Sequence, residues 1–138
     1  MQNQTARIII IGFFVAILQS TIACEPQYQS LDIRQLSTPP QPFATQIRNE
    51  QITIPEGVAT LISAVPISRN SEEYPSHVQV DLWSEQPRVL LVQPAAKTFE
   101  FVLIGGEQGQ TCIPVEIDGA KEECIPARVT PAVGSNSP

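Results

Sequence analysis

Three cysteines and one histidine are the residues of this 138-residue chain best suited to bind a metal or attack a substrate. A zinc site normally needs three or four nitrogen or sulfur ligands, and an acid-base pair needs a partner for the imidazole. His77 stands at the end of a loop in which only Glu72, Glu73 and Tyr74 are near it in sequence. We therefore interpret His77 as a solvated loop residue, and we expect no metal, no cofactor and no enzymatic activity.

Two other stretches partly resemble motifs of binding or catalytic sites but lack residues or geometry that those motifs need. The segment GGEQGQ at 105–110 is glycine-rich, but it lacks the lysine and the Ser/Thr of a phosphate-binding loop and precedes a predicted strand. Glu122 and Glu123 are adjacent, and neighbouring residues on a strand face opposite ways. We expect a hairpin or corner loop in the first case and no carboxylate pair in the second.

The composition indicates one small acidic domain. The formal net charge is −6, and removal of residues 1–23 takes away only Arg7, which leaves seven basic and fourteen acidic residues and a charge of −7. Such a chain has no basic stripe with which to displace counterions from DNA or RNA, so we expect no nucleic acid partner. Thirteen prolines argue against long helices.

The N-terminus has the pattern of an export signal. Arg7 closes an opening without acidic residues, and eleven uncharged residues, Ile8 to Leu18, follow it. As a helix this run would be about 16 Å long, whereas the hydrocarbon core of a bilayer is about 30 Å thick. We predict a cleaved signal peptide over 1–23, with an uncleaved membrane anchor as the alternative.

The segment STIAC, which ends at Cys24, resembles the lipobox of bacterial lipoproteins, with Thr21 where leucine is usual. The resemblance implies cleavage before Cys24, a diacylglyceryl group on its sulfur and acylation of the new amino terminus. One acyl chain anchors a protein marginally, while two or more hold it firmly. Glu25 stands where the class uses aspartate for inner-membrane retention, so the resemblance favours the outer membrane, facing the periplasm. A structural cysteine and an unpaired thiol are the alternatives for Cys24.

After the signal, composition divides the chain into three parts. Residues 24–45 are rich in proline and glutamine and predict a flexible tether, about 25 Å long on average as a coil. Residues 46–129 show short β-branched runs separated by turn residues, and 130–138 predict a disordered tail. Seven strands are predicted: 47–54, 58–67, 78–83, 88–93, 98–104, 111–117 and 121–129. This pattern predicts an all-β fold, an antiparallel β-sandwich of immunoglobulin-like architecture.

Cys112 and Cys124 are predicted to form a disulfide across a hairpin, since export places them where disulfides persist. A two-residue Asp118-Gly119 turn would put them on opposite faces of the hairpin. A three-residue loop of Ile117, Asp118 and Gly119 would pair Cys112 directly with Cys124. Two reduced, buried thiols are the alternative.

Trp83 is predicted on the strand face opposite Val78, Val80 and Leu82. A packed ring at the sandwich edge is the common outcome, whereas an exposed ring would be a candidate for binding a partner, because tryptophan is enriched in interface hot spots. Together these features predict an envelope lipoprotein, bound to the lipid bilayer through acylated Cys24. Its sandwich would bind another envelope protein as an assembly or structural component. A periplasmic inhibitor or ligand-binding module, soluble or anchored, is the second hypothesis.

Overall fold

The structure is a computed structural model that describes residues 26–39, 44–48 and 50–132. The predicted signal peptide over 1–23, Cys24 and residues 133–138 of the predicted tail lie outside the described residues. Within the described ranges, no helix is long and apolar enough to cross a membrane.

The described chain folds into nine strands. In chain order they are β1 (Tyr28–Gln35), β2 (Gln46–Arg48), β3 (Gln51–Pro55), β4 (Ala59–Ser68), β5 (Val80–Leu82), β6 (Leu90–Pro94), β7 (Glu100–Gly105), β8 (Gly109–Ile117) and β9 (Ala120–Thr130). They form a four-stranded sheet in the order β1-β4-β7-β6 and a five-stranded sheet in the order β2-β3-β9-β8-β5. Strands β3 and β9 pair in parallel, and the other strand pairs are antiparallel. The predicted all-β sandwich is confirmed.

Alternation along each strand builds the core between the two sheets. In β4, Thr60, Ile62 and Ala64 are buried, whereas Leu61 and Ser63 between them are only half-buried. Strand β8 buries Ile113 and Val115 in the same way from the opposite sheet. The side chains with essentially no solvent exposure include Ile52, Ile54, Ile62, Leu90, Leu103, Ile113 and Val115.

Two of the nine strands come from one predicted strand. The run 47–54 is interrupted at Glu50, whose φ of 61° lies in the left-handed region. As a result, Arg48 of β2 pairs with Gln51 of β3 in a tight hairpin. The sequence pattern predicts one strand because its β-branched residues continue on both sides of the turn.

The predicted tether over 24–45 is wrong for residues 28–35, which form strand β1 along the edge of β4. Leu31 lies opposite Pro66 and Ile33 opposite Ala64, on the inner face of the sheet. Polar residues dominate this segment, so its composition alone predicts a linker. Pairing with β4 satisfies backbone groups that an unpaired edge would leave to solvent and buries two aliphatic side chains.

The domain therefore begins earlier than predicted and ends slightly later. It includes Pro26, whose carbonyl accepts a hydrogen bond from Tyr74, instead of beginning at residue 46, and β9 continues to Thr130, the first residue of the predicted tail. Strand β1 adds the fourth strand of its sheet. Pro26, two residues after Cys24 in the sequence, therefore already belongs to the folded domain.

Candidate functional site

Trp83 lies on the outer side of the five-stranded sheet, directly after β5. Val80 and Leu82 pair with Ile117 and Val115 of β8, whose side chains are in the core. Alternation then turns Trp83 outward, and its side chain is 39% exposed. The predicted face is therefore correct, but the expectation of a packed ring is not met. Trp83 is one of three large hydrophobic residues exposed among those described.

Hydrogen bonds fix the chain that follows Trp83 against β8. The backbone N–H of Glu85 donates to the Cys112 carbonyl at 3.0 Å, and the N–H of Gln86 donates to Thr111 Oγ1 at 3.1 Å. The buried hydroxyls of Ser84 and Thr111 bond to each other at 3.2 Å. Because both sides of Trp83 are held in this way, the ring projects from a rigid part of the sheet.

Cys112 and Cys124 form the predicted disulfide, with their Cα atoms 5.8 Å apart. The predicted pairing is wrong, because Cys112 lies opposite Pro126 and Cys124 lies opposite Pro114. The two cysteines are therefore diagonal neighbours on one face of the hairpin.

A β-bulge explains how the bridge forms despite a two-residue turn. Ile117 pairs with Ala120 across Asp118 and Gly119, both of which have positive φ, as a tight hairpin turn requires. That turn alone would leave the cysteines on opposite faces. The register shifts by one residue between Val115 and Glu116, and this extra residue on β9 returns both cysteines to the outer face.

These residues form one continuous surface, which we call the Trp83 patch. It consists of Trp83, Glu85, Pro126 and the Cys112–Cys124 disulfide, all on the outer face of the five-stranded sheet. Continuing the register of β5 brings Trp83 level with Pro114, which is fully buried although its row faces outward. The centre of the patch is apolar and Glu85 is charged, an arrangement typical of a protein-binding surface.

The Trp83 patch also contains the one group of potential metal ligands found among the described residues. A Glu85 carboxylate oxygen and the two cysteine sulfurs lie within 4.8 Å of one another. Metals bind thiolates, and both sulfurs here are bonded to each other. His77 lies elsewhere, in an exposed loop position. The geometry of this group therefore favours a covalently stabilised surface over a metal centre.

A second candidate site is a cleft of about 590 Å³ at the end of the sandwich where the described chain begins. Pro26, Gln27, Tyr28, Arg69, Tyr74, Ile117, Asp118, Ala120 and Glu122 line it. The Tyr74 hydroxyl donates to the Pro26 carbonyl at 2.5 Å, and the Arg69 N–H donates to the Gln27 carbonyl at 2.9 Å. These bonds clamp the start of the domain to the β4–β5 loop.

Tyr28 connects the two sheets beside this cleft. Its hydroxyl donates a hydrogen bond to Glu123 of β9, on the opposite sheet. Burial, followed by the hydrogen bond to Glu123 and the charge of that carboxylate, raises the pKa of Tyr28 far above its ordinary value of 10.0. The sequence pattern does not predict this role of Tyr28, because the residue lies in the predicted tether.

Replacing Tyr28 by phenylalanine tests this connection. We expect Tyr28→Phe to lower the free energy of unfolding by about 1 kcal/mol at pH 7, since Glu123 loses its donor. The tyrosine proton is held to higher pH in the folded chain than in the unfolded chain. The contribution of Tyr28 is therefore complete below pH 10 and is lost as the pH rises above it.

Urea unfolding followed by Trp83 fluorescence, at pH 7 and at steps from pH 10 upward, measures both effects. As the pH rises above 10, the free energy of unfolding should fall more steeply for the native protein than for Tyr28→Phe. The two slopes should differ by at most about 1.4 kcal/mol per pH unit, and by less because the ring is partly solvated. Lysine ionisation affects both proteins equally and cancels in the comparison. Parallel pH profiles would show that the Tyr28–Glu123 bond does not contribute.

Comparisons with known proteins identify similar folds. No protein-family model matches the chain, and no curated protein matches it significantly in sequence. Domains 4 and 5 of the S-layer protein SbsC match with a TM-score of 0.50 and 16% identity, over 77% of this chain and 54% of that one. Domains 1–6 of the same surface layer protein match with a TM-score of 0.54 and 13% identity, over 78% of this chain and 14% of that one. Domains 4–9 match with a TM-score of 0.52 and 16% identity, over 83% of this chain and 16% of that one. The chain thus spans about half or less of the length of these structures, and the likeness is one of fold.

Proposed function

We propose that this protein is an envelope lipoprotein, anchored through acylated Cys24, whose β-sandwich binds another envelope protein as an assembly or structural component. The anchor rests on the lipobox-like segment before Cys24. A sandwich fold that also occurs in surface layer proteins fits an envelope location. On the resemblance to lipoproteins, Glu25 favours the outer membrane, with the domain facing the periplasm.

The observation that carries the binding role is the exposed Trp83 on a rigid surface. Hot spots of interfaces are rich in tryptophan, which offers a large contact area at a low entropic cost. The neighbouring disulfide and the exposed Pro126 have few internal degrees of freedom to lose when a partner covers them. The Trp83 patch therefore supplies what a partner needs for tight packing.

Site-specific photo-crosslinking in intact cells tests this role. A photoreactive amino acid at Glu85 should give one adduct of discrete mass, and Trp83→Ala should weaken that adduct at least about tenfold, as expected when a hot-spot residue is truncated. The same amino acid at Gln51, exposed on the same sheet, is the matched control and should give no such adduct. An adduct at Glu85 that is unchanged by Trp83→Ala would contradict the proposed role.

The cleft beside Tyr28 supports a second candidate function, a ligand-binding module. Its volume of about 590 Å³ is in the range of small-molecule sites, and Arg69 and Asp118 could orient a polar ligand. This function predicts a small molecule that copurifies at one per chain and is detected by mass spectrometry after denaturation. It also predicts loss of that molecule in Arg69→Ala. A purified chain without any bound molecule would leave the protein-binding role as the better hypothesis.

A further inference from the structure

The outer faces of the two sheets differ in character. On the four-stranded sheet, six apolar residues form a surface that we call the apolar patch: Leu36, Ala59, Leu61, Leu91, Val102 and Ile104. Leu91 pairs with Ile104 and Ile104 with Ala59, while Leu61 pairs with Val102 and its carbonyl accepts the Leu36 N–H. Leu36 is 48% exposed and Leu91 is 37% exposed. The outer face of an antiparallel sheet is ordinarily polar, so an apolar patch on it is a candidate interaction surface.

Four charged residues near this face form two ion pairs, and Glu73, opposite Ile67 toward the anchored end, adds one exposed carboxylate. Asp32 and Arg34 form an ion pair at 2.5 Å, and Lys97 and Glu100 form another at 3.7 Å. No charged side chain belongs to the patch itself, although the whole chain carries a net charge of −6. The apolar patch is thus suited to an apolar or weakly charged surface.

The position of the chain start relates this face to a membrane. The hydroxyl of Tyr74 holds Pro26 to the sandwich. Cys24 precedes Pro26 by two residues, and a chain of two residues cannot extend farther than about 7 Å. Acylated Cys24 would therefore hold the folded domain directly on the bilayer. Tyr28, near the anchored end, pairs with Ser68 at the end of β4. Ile104 of the apolar patch pairs with Ala59 at the beginning of β4. The anchored end and the apolar patch therefore lie at opposite ends of this strand, about 30 Å apart.

We propose that the sandwich lies on its four-stranded sheet against the bilayer, held at one end by acylated Cys24 and at the other by the apolar patch. This proposal rests on the proposed anchor. Standing on its end would press the exposed carboxylates of Glu72, Asp118 and Glu122 against the headgroups. A second copy of the chain is a poorer occupant, because stable interfaces use about 20–30 residues a side and the patch has six. A lipid surface needs fewer contacts, since the anchor keeps it within reach.

In this orientation the Trp83 patch faces away from the membrane. Trp83 lies on the outer face of the five-stranded sheet, on the other side of the core from Leu91. The sandwich would thus present one face to lipid and the opposite face to a protein partner.

Quenching of tryptophan fluorescence by nitroxide-labelled lipids distinguishes these geometries. The acylated protein is reconstituted in vesicles of phosphatidylethanolamine and phosphatidylglycerol that carry the label at headgroup level. In the Trp83→Phe background, Leu91→Trp should be quenched several-fold more strongly than native Trp83. Adding Val102→Glu should remove most of this difference, whereas Thr53→Glu, on the opposite sheet, should not.

The outcomes separate the two proposals. Equal, weak quenching of both tryptophans in protein that floats with the vesicles would overturn the side-on orientation and would favour an end-on domain or a protein cover for the patch. An unmodified Cys24, found by intact mass, would overturn the anchor and the orientation that depends on it. Circular dichroism of each variant shows whether the sandwich remains folded.

Discussion

Replacing Cys24 by serine is expected to move the protein from the membrane to the soluble periplasmic fraction. The hydroxyl of serine does not accept the diacylglyceryl group that the resemblance to lipoproteins places on the Cys24 sulfur. Each buried methylene of an acyl chain is worth about 0.8 kcal/mol, so losing two or more chains removes the membrane affinity almost completely. Fractionation and intact-mass measurement of the native protein and Cys24→Ser give the result directly.

The native protein should show a chain that begins at Cys24 and carries acyl groups. Glu25→Asp is the matched control, because it leaves the acyl acceptor in place and should change the membrane of residence, not the acylation. A native protein that is soluble and begins at an unmodified Cys24 would refute the anchor. An intact chain that begins at Met1 in the membrane fraction would favour the alternative of an uncleaved anchor.

Removing the disulfide is expected to lower the free energy of unfolding by about 3 kcal/mol. The bridge closes a loop with a sequence separation of 12, and its main effect is to restrict the unfolded chain. This loss is a large share of the 5–15 kcal/mol that stabilises a typical domain. The variant to make is Cys112→Ala with Cys124→Ala, measured by urea unfolding.

Reduction of the native protein provides the control for this prediction. A reductant should shift the unfolding midpoint of the native protein close to that of the double variant and should leave the double variant unchanged. The bridge lies on the outer face, so alanine at both positions opens no core cavity. Equal stability of the oxidised native protein and the double variant would show that the bulged hairpin holds its register without the bond.

Local pattern was sufficient to predict the fold class and most of the core. Alternation predicts one buried face for Val78, Val80 and Leu82, of which Val78 and Leu82 are buried and Val80 is half-buried. It predicts a second for Phe99, Phe101 and Leu103: the last two are buried in β7, but Phe99 precedes the strand with a φ of 62° and is half-buried. These predictions succeed because the period of side-chain direction on a strand is two, whatever the strand pairs with. The outward direction of Trp83 follows from the same rule.

The exposure of Trp83 and the extent of the domain depended on tertiary contacts. Whether an outward ring is packed or exposed is decided by what lies over it, and alternation does not report this. The polar segment at 28–35 was assigned to a tether, because its few apolar residues gain a buried environment only when the edge of β4 is beside them. The connection between Tyr28 and Glu123, 95 residues apart, likewise exists only in the folded chain.

The disulfide shows most clearly what each level determined. The sequence by itself predicted that Cys112 and Cys124 would pair, because the predicted export signal and the count of cysteines leave few other partners for them. Only the tertiary structure decided how they pair. The two-residue turn by itself would place the two cysteines on opposite faces of the hairpin. The bulge between Val115 and Glu116 shifts the register by one residue and places them on the same face. A single extra residue turns every following side chain to the other face, and its position depends on the packing of Val115 and Ile117 in the core instead of on local residue preference.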